Sequence, residues 1–457
     1  MDKFNLQAGF SRVTVNPHMG IDIVGYYKER KAEGILDNLE VNVLAVKKAE
    51  KTVLFVAIDL AHLSKEVFDR IKIEISNKTG VDINAIFVHT THTHTGPGYE
   101  LGKVDEDKDA IKMVDDYMEF VIKSCVDGAI FALADLKPAK MGYGVGQAPK
   151  IAFIRRFRMK DGSVKTNPGV NNPDIVEPIG QVDERVSVVR FDREGGKTIV
   201  LVNFGNHPDT VGGNLISGDW PTLTRHFVEK AIEDTLCIFF NGAQGDVNHV
   251  NVHPQGGDFN DMFNDFDGCS RGYGHTRHMA RVVTGGVLQV YDKVKYIDVD
   301  EIKYEQRYVD IPSNKATKEQ LELAHKYNDL HLQGKDDQIP FKAMELTTVV
   351  AEAARMVRLE NGPDAFPMLF SAVSIGGVAL FGIPGEPFNW VGREIKKTDG
   401  YELVIPCCLT NGAEGYFPTK DAYDEGGYEA RSSSFKAGVA EKIVDTAKVI
   451  LTDLIKA

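Results

Sequence analysis

Three histidines fall within six residues, His89-Thr-Thr-His92-Thr-His94, and the run closes on Thr95-Gly96-Pro97-Gly98. Imidazole is a frequent metal ligand and a proton carrier near neutral pH. The run follows the apolar stretch at 84–89, expected as a strand, and α/β sheets build their sites at the carboxyl ends of strands. His92 and His94 are two apart, so in extended backbone both rings face one side. One can bind a metal while its neighbour meets a substrate. Gly96-Pro97-Gly98 turns the chain and lets a ligand approach the backbone. Hydrogen-bonded loop histidines are the plain alternative, but three of them amid hydroxyls favour a metal site.

Further candidates lie far along the chain. His207 in Asn203-Phe-Gly-Asn-His207-Pro208 again directly follows an apolar strand. Asp219 precedes Trp220-Pro221 and a helix, as an N-cap or as a partner of a ligating histidine. The run from Phe239 to Asn248 ends a strand in a Gly-rich turn, whose N–H groups could stabilise an oxyanion. Glu386 sits between turn residues in Pro384-Gly385-Glu386-Pro387, where a solvated surface carboxylate is the plain reading. Tyr416, Tyr423 and Tyr428 lie in loops, where aromatics are mostly packing or rim residues.

The elements that must position these residues alternate between two hydrophobic periods. Strands are expected at 52–59, 84–89, 186–191, 198–203, 236–241, 369–381 and 402–409. Helices are expected from Ser64 to Gly80 and at 110–136, 221–235, 276–291, 317–332, 388–397 and 435–456, the last N-capped by Ser432 to Ser434. The 52–89 stretch reads as a βαβ unit with a right-handed crossover. Residues 294–311 read as an edge hairpin and 313–366 as a helical excursion. The fold class is α/β, a single sandwich around a large mixed sheet. Two long loops, 147–178 and 248–274, suggest functional segments. The second is rich in Gly and Asp but lacks EF-hand spacing, so a substrate-covering or solvated loop is preferred to a calcium site.

With 457 residues, 43% hydrophobic and 26% charged, the chain has ordinary globular composition. A net charge of −13 argues against nucleic acid or an anionic membrane as the main partner. No apolar run reaches the ~20 residues of a membrane helix, and the N-terminus has no leader-like apolar region. Five cysteines without CxxC spacing read as reduced thiols in a cytoplasmic protein.

Taken together, His-Thr-His-Thr-Gly-Pro-Gly, Asn-His-Pro, Gly-Asp-Val, Pro-Gly-Glu and the Tyr pair resemble, in order, the catalytic domain of neutral/alkaline ceramidases. The resemblance runs from about Ala8 to the C-terminal helix. It implies one zinc ion held by His92, His207, Glu386 and Tyr416. It implies Tyr428 as a catalytic tyrosine twelve residues past the ligand tyrosine, and Arg155, with Arg156 beside it, as a substrate contact. His94 would face the reaction, and Asn248 stands where the family has Ser. Asn can donate to an oxyanion but cannot act as a nucleophile. The immunoglobulin-like domain and secretion signal of those enzymes are expected to be absent. The expected function is zinc-dependent hydrolysis of a linear N-acyl amide by metal-activated water. The alternatives are an ester or lactone of a smaller polar substrate, or a binding protein that has lost catalysis. Sequence does not fix the oligomeric state.

Overall fold

Runs rich in Val, Ile and Phe pair into a mixed sheet of nine strands in the structure, a computed structural model that describes residues 6–98 and 108–456. The residues before Leu6, part of the run read for a leader, lie outside the described residues. The strands are β1 (Leu6–Thr14), β2 (Glu40–Lys48), β3 (Lys51–Ile58), β4 (Ile86–Thr90), β5 (Lys137–Gln147), β6 (Arg185–Arg193), β7 (Thr198–Phe204), β8 (Thr235–Asn241) and β9 (Lys295–Ile297). Their order is β8-β7-β6-β5-β1-β2-β3-β4, with β9 paired to β5. A second sheet runs β10 (Ile302–Pro312), β11 (Ala365–Ile375), β12 (Val378–Gly382) and β13 (Leu403–Cys407).

Helices α1 (Lys65–Thr79), α2 (Lys108–Ala134), α3 (Asp219–Ala231) and α4 (Tyr273–Val290) pack on the large sheet. Helices α5 (Lys318–Leu332) and α6 (Ala343–Leu359) pack on each other, and α7 (Asn389–Ile395) and α8 (Val439–Lys456) cover the second sheet. A continuous core joins the sheets. The rings of Phe55, Phe87 and Phe240 stand 5.6–6.1 Å apart, and Phe87 touches the backbone of β12 at Gly382. The α/β sandwich is therefore as expected, with a second sheet stacked on the first.

Several local expectations hold. Ser64 caps α1 by accepting from Val67 N, and Gly80 closes it in the left-handed conformation. β3, α1 and β4 form the βαβ unit, with β3 and β4 parallel. Thr317 caps α5, and α5 and α6 make up the helical excursion.

Others do not hold. The single strand read over 369–381 is two antiparallel strands, because Gly376 turns the chain at φ 55°. The hairpin read over 294–311 is two strands in different sheets, β9 on β5 and β10 on β11. The terminal helix begins at Val439, after a left-handed Gly438, so Ser432 to Ser434 do not cap it. The long loop 147–178 contains a three-stranded sheet, with Arg156–Met159 between Val164–Thr166 and Ile175–Pro178.

Candidate active site

Three parallel strand pairs, β3/β4, β7/β8 and β12/β13, end at one place. The chain leaves β4 into His92 and His94, β7 into His207, and β12 into Glu386. Carboxyl ends of parallel strands release backbone into loops that need not return at once, so side chains from distant segments meet there.

His92 has a left-handed backbone, φ 74°, fixed by its N–H donating to Leu60 O and by Nδ1 against Ala61 O at 2.7 Å. Such strain in a non-glycine residue costs on the order of 1–3 kcal/mol and persists where the surroundings over-determine it. His207 is fully buried, with Nδ1 2.9 Å from Gln244 O. Glu386 N donates to Gly415 O, and the two-residue strand Glu386–Pro387 runs parallel to Tyr416–Phe417, which sets the carboxylate and the phenol side by side.

The functional atoms converge. Glu386 Oε2 lies 3.2 Å from His92 Nε2 and 3.1 Å from His207 Nε2. His94 Nε2 is 3.2 Å from His92 Nε2, and Tyr416 Oη is 3.4 Å from His207 Nε2. His92, His94 and His207 each offer a nitrogen within a 4.8 Å span, the one such grouping of His, Cys, Asp or Glu among the described residues. Glu386 Oε2 is buried without a hydrogen-bond donor. Burial would push the Glu386 carboxyl up, but the facing His92 and His207 outweigh it and hold it well below the usual range. Burial, reinforced by the charge of His92, pushes His94 well down.

Arg155 stands behind this cluster. Its Nε donates to Glu429 Oε1 at 2.6 Å and its Nη2 to Gly245 O at 2.8 Å. Its guanidinium lies 5.5 Å from the Tyr416 ring centroid and 6.0 Å from that of Tyr428. Tyr416 and Tyr428 rings meet edge-on at 5.5 Å, and Tyr428 in turn meets Tyr27. Burial raises both phenols well above the ordinary tyrosine value, so both stay protonated. Arg156 points elsewhere, to Glu425 and the Phe388 ring.

Four sequence expectations change here. His89 is a strut rather than a ligand. Its Nδ1 meets Cys408 O at 2.8 Å and its Nε2 accepts from Asn241 N, and burial lowers it to about 3. The Gly-rich turn at 242–245 contributes carbonyls rather than an oxyanion hole. Its Gly242 and Gly245 N–H groups bond to Phe204 O and Pro387 O, while its carbonyls receive His207 and Arg155. Asp219 neither caps α3 nor touches a histidine ring. It accepts from Thr210 N and Val211 N and so pins the loop beyond His207. Asn248 donates its amide N–H to Asn167 Oδ1 in a neighbouring loop and accepts from Val250 N two residues on.

Three of the four acids of the 248–274 loop are also spoken for. Asp265 and Asp267 pair with Arg271, and Asp258 accepts from Asn251 and Gln255 N, so these three carboxylates are engaged by protein donors.

Several supporting residues carried no signal in the sequence. Tyr26 lies between the guanidinium groups of Arg30 and Arg271, each 4.3 Å from its centroid, with its ring 5.0 Å from His94. Gly25 must be glycine, since a Cβ there would come within 2.8 Å of His94. His249 bridges Asp209 and Ser270 O. Glu429 holds both Arg155 and Thr166, and its place beside Tyr428 was the one hint. The α5–α6 excursion reaches the site at its rim. His331 lies 6.5 Å from the Tyr27 ring, and Arg431, in the one-turn helix that starts at Tyr428, pairs with Glu345 and Glu352 of α6.

The family described as neutral/alkaline non-lysosomal ceramidase, N-terminal, matches residues 4–331. The chain belongs to that ceramidase family. The match includes His92, His94, Arg155, His207 and Asn248 but stops short of Glu386, Tyr416 and Tyr428. Two solved ceramidase structures share the fold. The neutral ceramidase from Pseudomonas aeruginosa gives a TM-score of 0.71 at 17% identity, over 99% of this chain and 75% of that one. A structure titled "Ceramidase complexed with C2" gives 0.71 at 16% identity, over 99% and 76%. No curated protein sequence matches the chain. Among the described residues no helix is long and apolar enough to cross a membrane.

Proposed function

We propose that this ceramidase-family hydrolase is a zinc-dependent amidohydrolase acting on a small N-acyl substrate. One observation carries the reading: the buried Glu386 Oε2 lies 3.1–3.2 Å from the Nε2 atoms of two histidines whose other ring nitrogens are both engaged. His92 and His207 each set Nδ1 against a backbone carbonyl, which can only accept, so Nδ1 holds the proton. In its neutral, metal-binding form each ring turns the Nε2 lone pair toward a carboxylate lone pair. That arrangement is repulsive unless a cation or a proton lies between them. Two imidazoles, a carboxylate and a phenol make a mixed N and O set that suits zinc.

His92, His207, Glu386 and Tyr416 would hold the ion. When bound, zinc lowers the pKa of water toward ~7 and polarises an acyl carbonyl. The carbonyl contacts of the two ligating histidines are the outer-sphere bonds that fix ring orientation in metal sites. His94 differs, because its Nδ1 is buried without a partner. The ring would take the proton released by the attacking water and, because burial makes the charged form a strong acid, would give it to the leaving nitrogen. Tyr428, protonated and beside Arg155, donates to the developing oxyanion. Asn248 is a loop anchor in this reading.

Metal content and turnover, measured together, test it. Wild type purified without chelator should carry one metal per chain. His92→Ala and His207→Ala should lose metal and activity together. His94→Ala should keep the metal and lose about 100-fold or more in kcat. Full turnover by metal-free His207→Ala would end the proposal. Paired amide and ester substrates complete the assay, and an ester preference of several orders of magnitude would replace the amide with an ester or lactone.

A further inference from the structure

Lys72 is a buried cation with no carboxylate in ion-pair contact among the described residues, outside the site described above. It lies on the inner face of α1, only 4% exposed. Among the described residues its one hydrogen-bond partner is Gln306 Oε1, at 2.7 Å. Gln306 is held in that orientation because its Nε2 donates to Ile86 O. Asp69, one turn earlier on α1, is taken by Lys65. An ammonium has three donors, and a buried charge is normally paired and fully hydrogen-bonded. Lys72 has one neutral acceptor and two donors to spare. Burial accordingly pushes it down to about 8.

The group does not face solid protein. It lines a cleft of about 290 Å³ between α1 and the second sheet. The apolar part of the wall is Ile73, Ile83, Leu369 and the ring of Tyr308. Ile73 and Tyr308 are 46% and 55% exposed, so the cleft opens to solvent. Small-molecule sites run from roughly 300 Å³ upward, with mostly apolar walls and a few placed polar groups. This cleft is at the small end, with Lys72 at the floor, hydrocarbon on one part of the wall, and Asn84, Gln306 and the Lys65-paired Asp69 on the rest.

We propose that the Lys72 cleft is a binding site for a short-chain carboxylate, its anionic head on the Lys72 ammonium and its apolar tail along Ile73, Ile83 and Leu369. The head supplies the charge and the acceptor lone pairs that Lys72 lacks. The limited volume selects a short chain over a membrane lipid. The site is independent of the proposed zinc centre, and its occupancy does not depend on hydrolysis.

Octanoate and its neutral isostere octanamide are the probes, with acetylation of each lysine by acetic anhydride read by peptide mass spectrometry. Saturating octanoate should slow labelling of Lys72 at least fivefold, and octanamide should not. The position-specific readout separates this site from any carboxylate bound at the histidine cluster. By calorimetry, Lys72→Met should lose one octanoate equivalent relative to wild type. Methionine replaces an unpaired buried charge with apolar volume, so this variant is expected to fold. If it does not, the wild-type labelling experiment decides alone. Labelling of Lys72 that octanoate leaves unchanged, or that octanamide slows equally, would overturn the proposal. So would an unaltered octanoate stoichiometry in folded Lys72→Met.

Discussion

Glu386 Oε2 stands 3.1 Å from His207 Nε2, although the two residues are 179 positions apart and follow strands of separate sheets. The contact exists because β7 and β12 end at the same rim. Glu386→Gln keeps the volume but places an amide where a charge belongs. It should lower metal affinity at least 100-fold, read by competition with a chromophoric chelator, while the circular dichroism spectrum is unchanged. Wild-type affinity in Glu386→Gln would remove the carboxylate from the ligand set.

Glu429 is the sole carboxylate paired with the buried Arg155 among the described residues. Removing one partner of a buried pair leaves the other charge uncompensated, at a cost of about 3–5 kcal/mol. Glu429→Gln should therefore lower the denaturation midpoint and also reduce kcat, because Arg155 sits against both Tyr416 and Tyr428. Bound metal should remain near wild-type level. Loss of metal in this variant would show that Arg155 supports the proposed ligand Tyr416 rather than Tyr428.

Acid stability should depend on Glu40. Burial would raise its pKa, but the His226 hydrogen bond and the charges of Arg225 and Arg12 bring it down to about 2 from 4.5. A depressed folded-state pKa gives stability that is complete above about 4.5 and disappears as the pH falls through about 2. The shift corresponds to on the order of 3 kcal/mol. Urea unfolding of wild type at pH 7, 4 and 3 should show a falling free energy. Glu40→Gln should be less stable at pH 7 and show a flatter profile. Parallel profiles for the two proteins would assign the acid sensitivity elsewhere.

All five cysteines are buried and unbridged, and burial raises every thiol well above its ordinary value. Thiolate is the reactive form. Native protein at pH 8 should release almost no thionitrobenzoate from Ellman's reagent, and five equivalents should appear in guanidinium. Rapid reaction of one thiol in the native state would locate an opening not present in this fold.

The sequence was most legible where function and local pattern coincide. An apolar strand followed at once by His, as at Val88-His89 and Phe204 to His207, places the residue at a strand end without any knowledge of the fold. The ligand set went further only through family resemblance, because nothing local distinguishes Glu386 from a surface carboxylate. Its meaning lies in the distant histidines it meets. Strands β1, β2 and β5 were not read at all. Their ends carry Arg, Lys and Glu, and β5 is interrupted by Gly142, Gly144 and Gly146, which blurs the period-2 signal. The split of 369–381 was announced by Gly376-Gly377 but hidden by continuous apolar flanks. The stacking of Tyr26 between Arg30 and Arg271 is set by tertiary contact alone, and no window of sequence contains it.

Helices α5 and α6 stand apart from both sheets and meet the rim through His331 against Tyr27 and through the Arg431 pairs. Substitutions in this hairpin can therefore reshape what enters the cavity while the histidines and Glu386 keep their places. Under the proposed function, the helices that border the entrance and the residues that cleave the bond belong to different parts of the molecule.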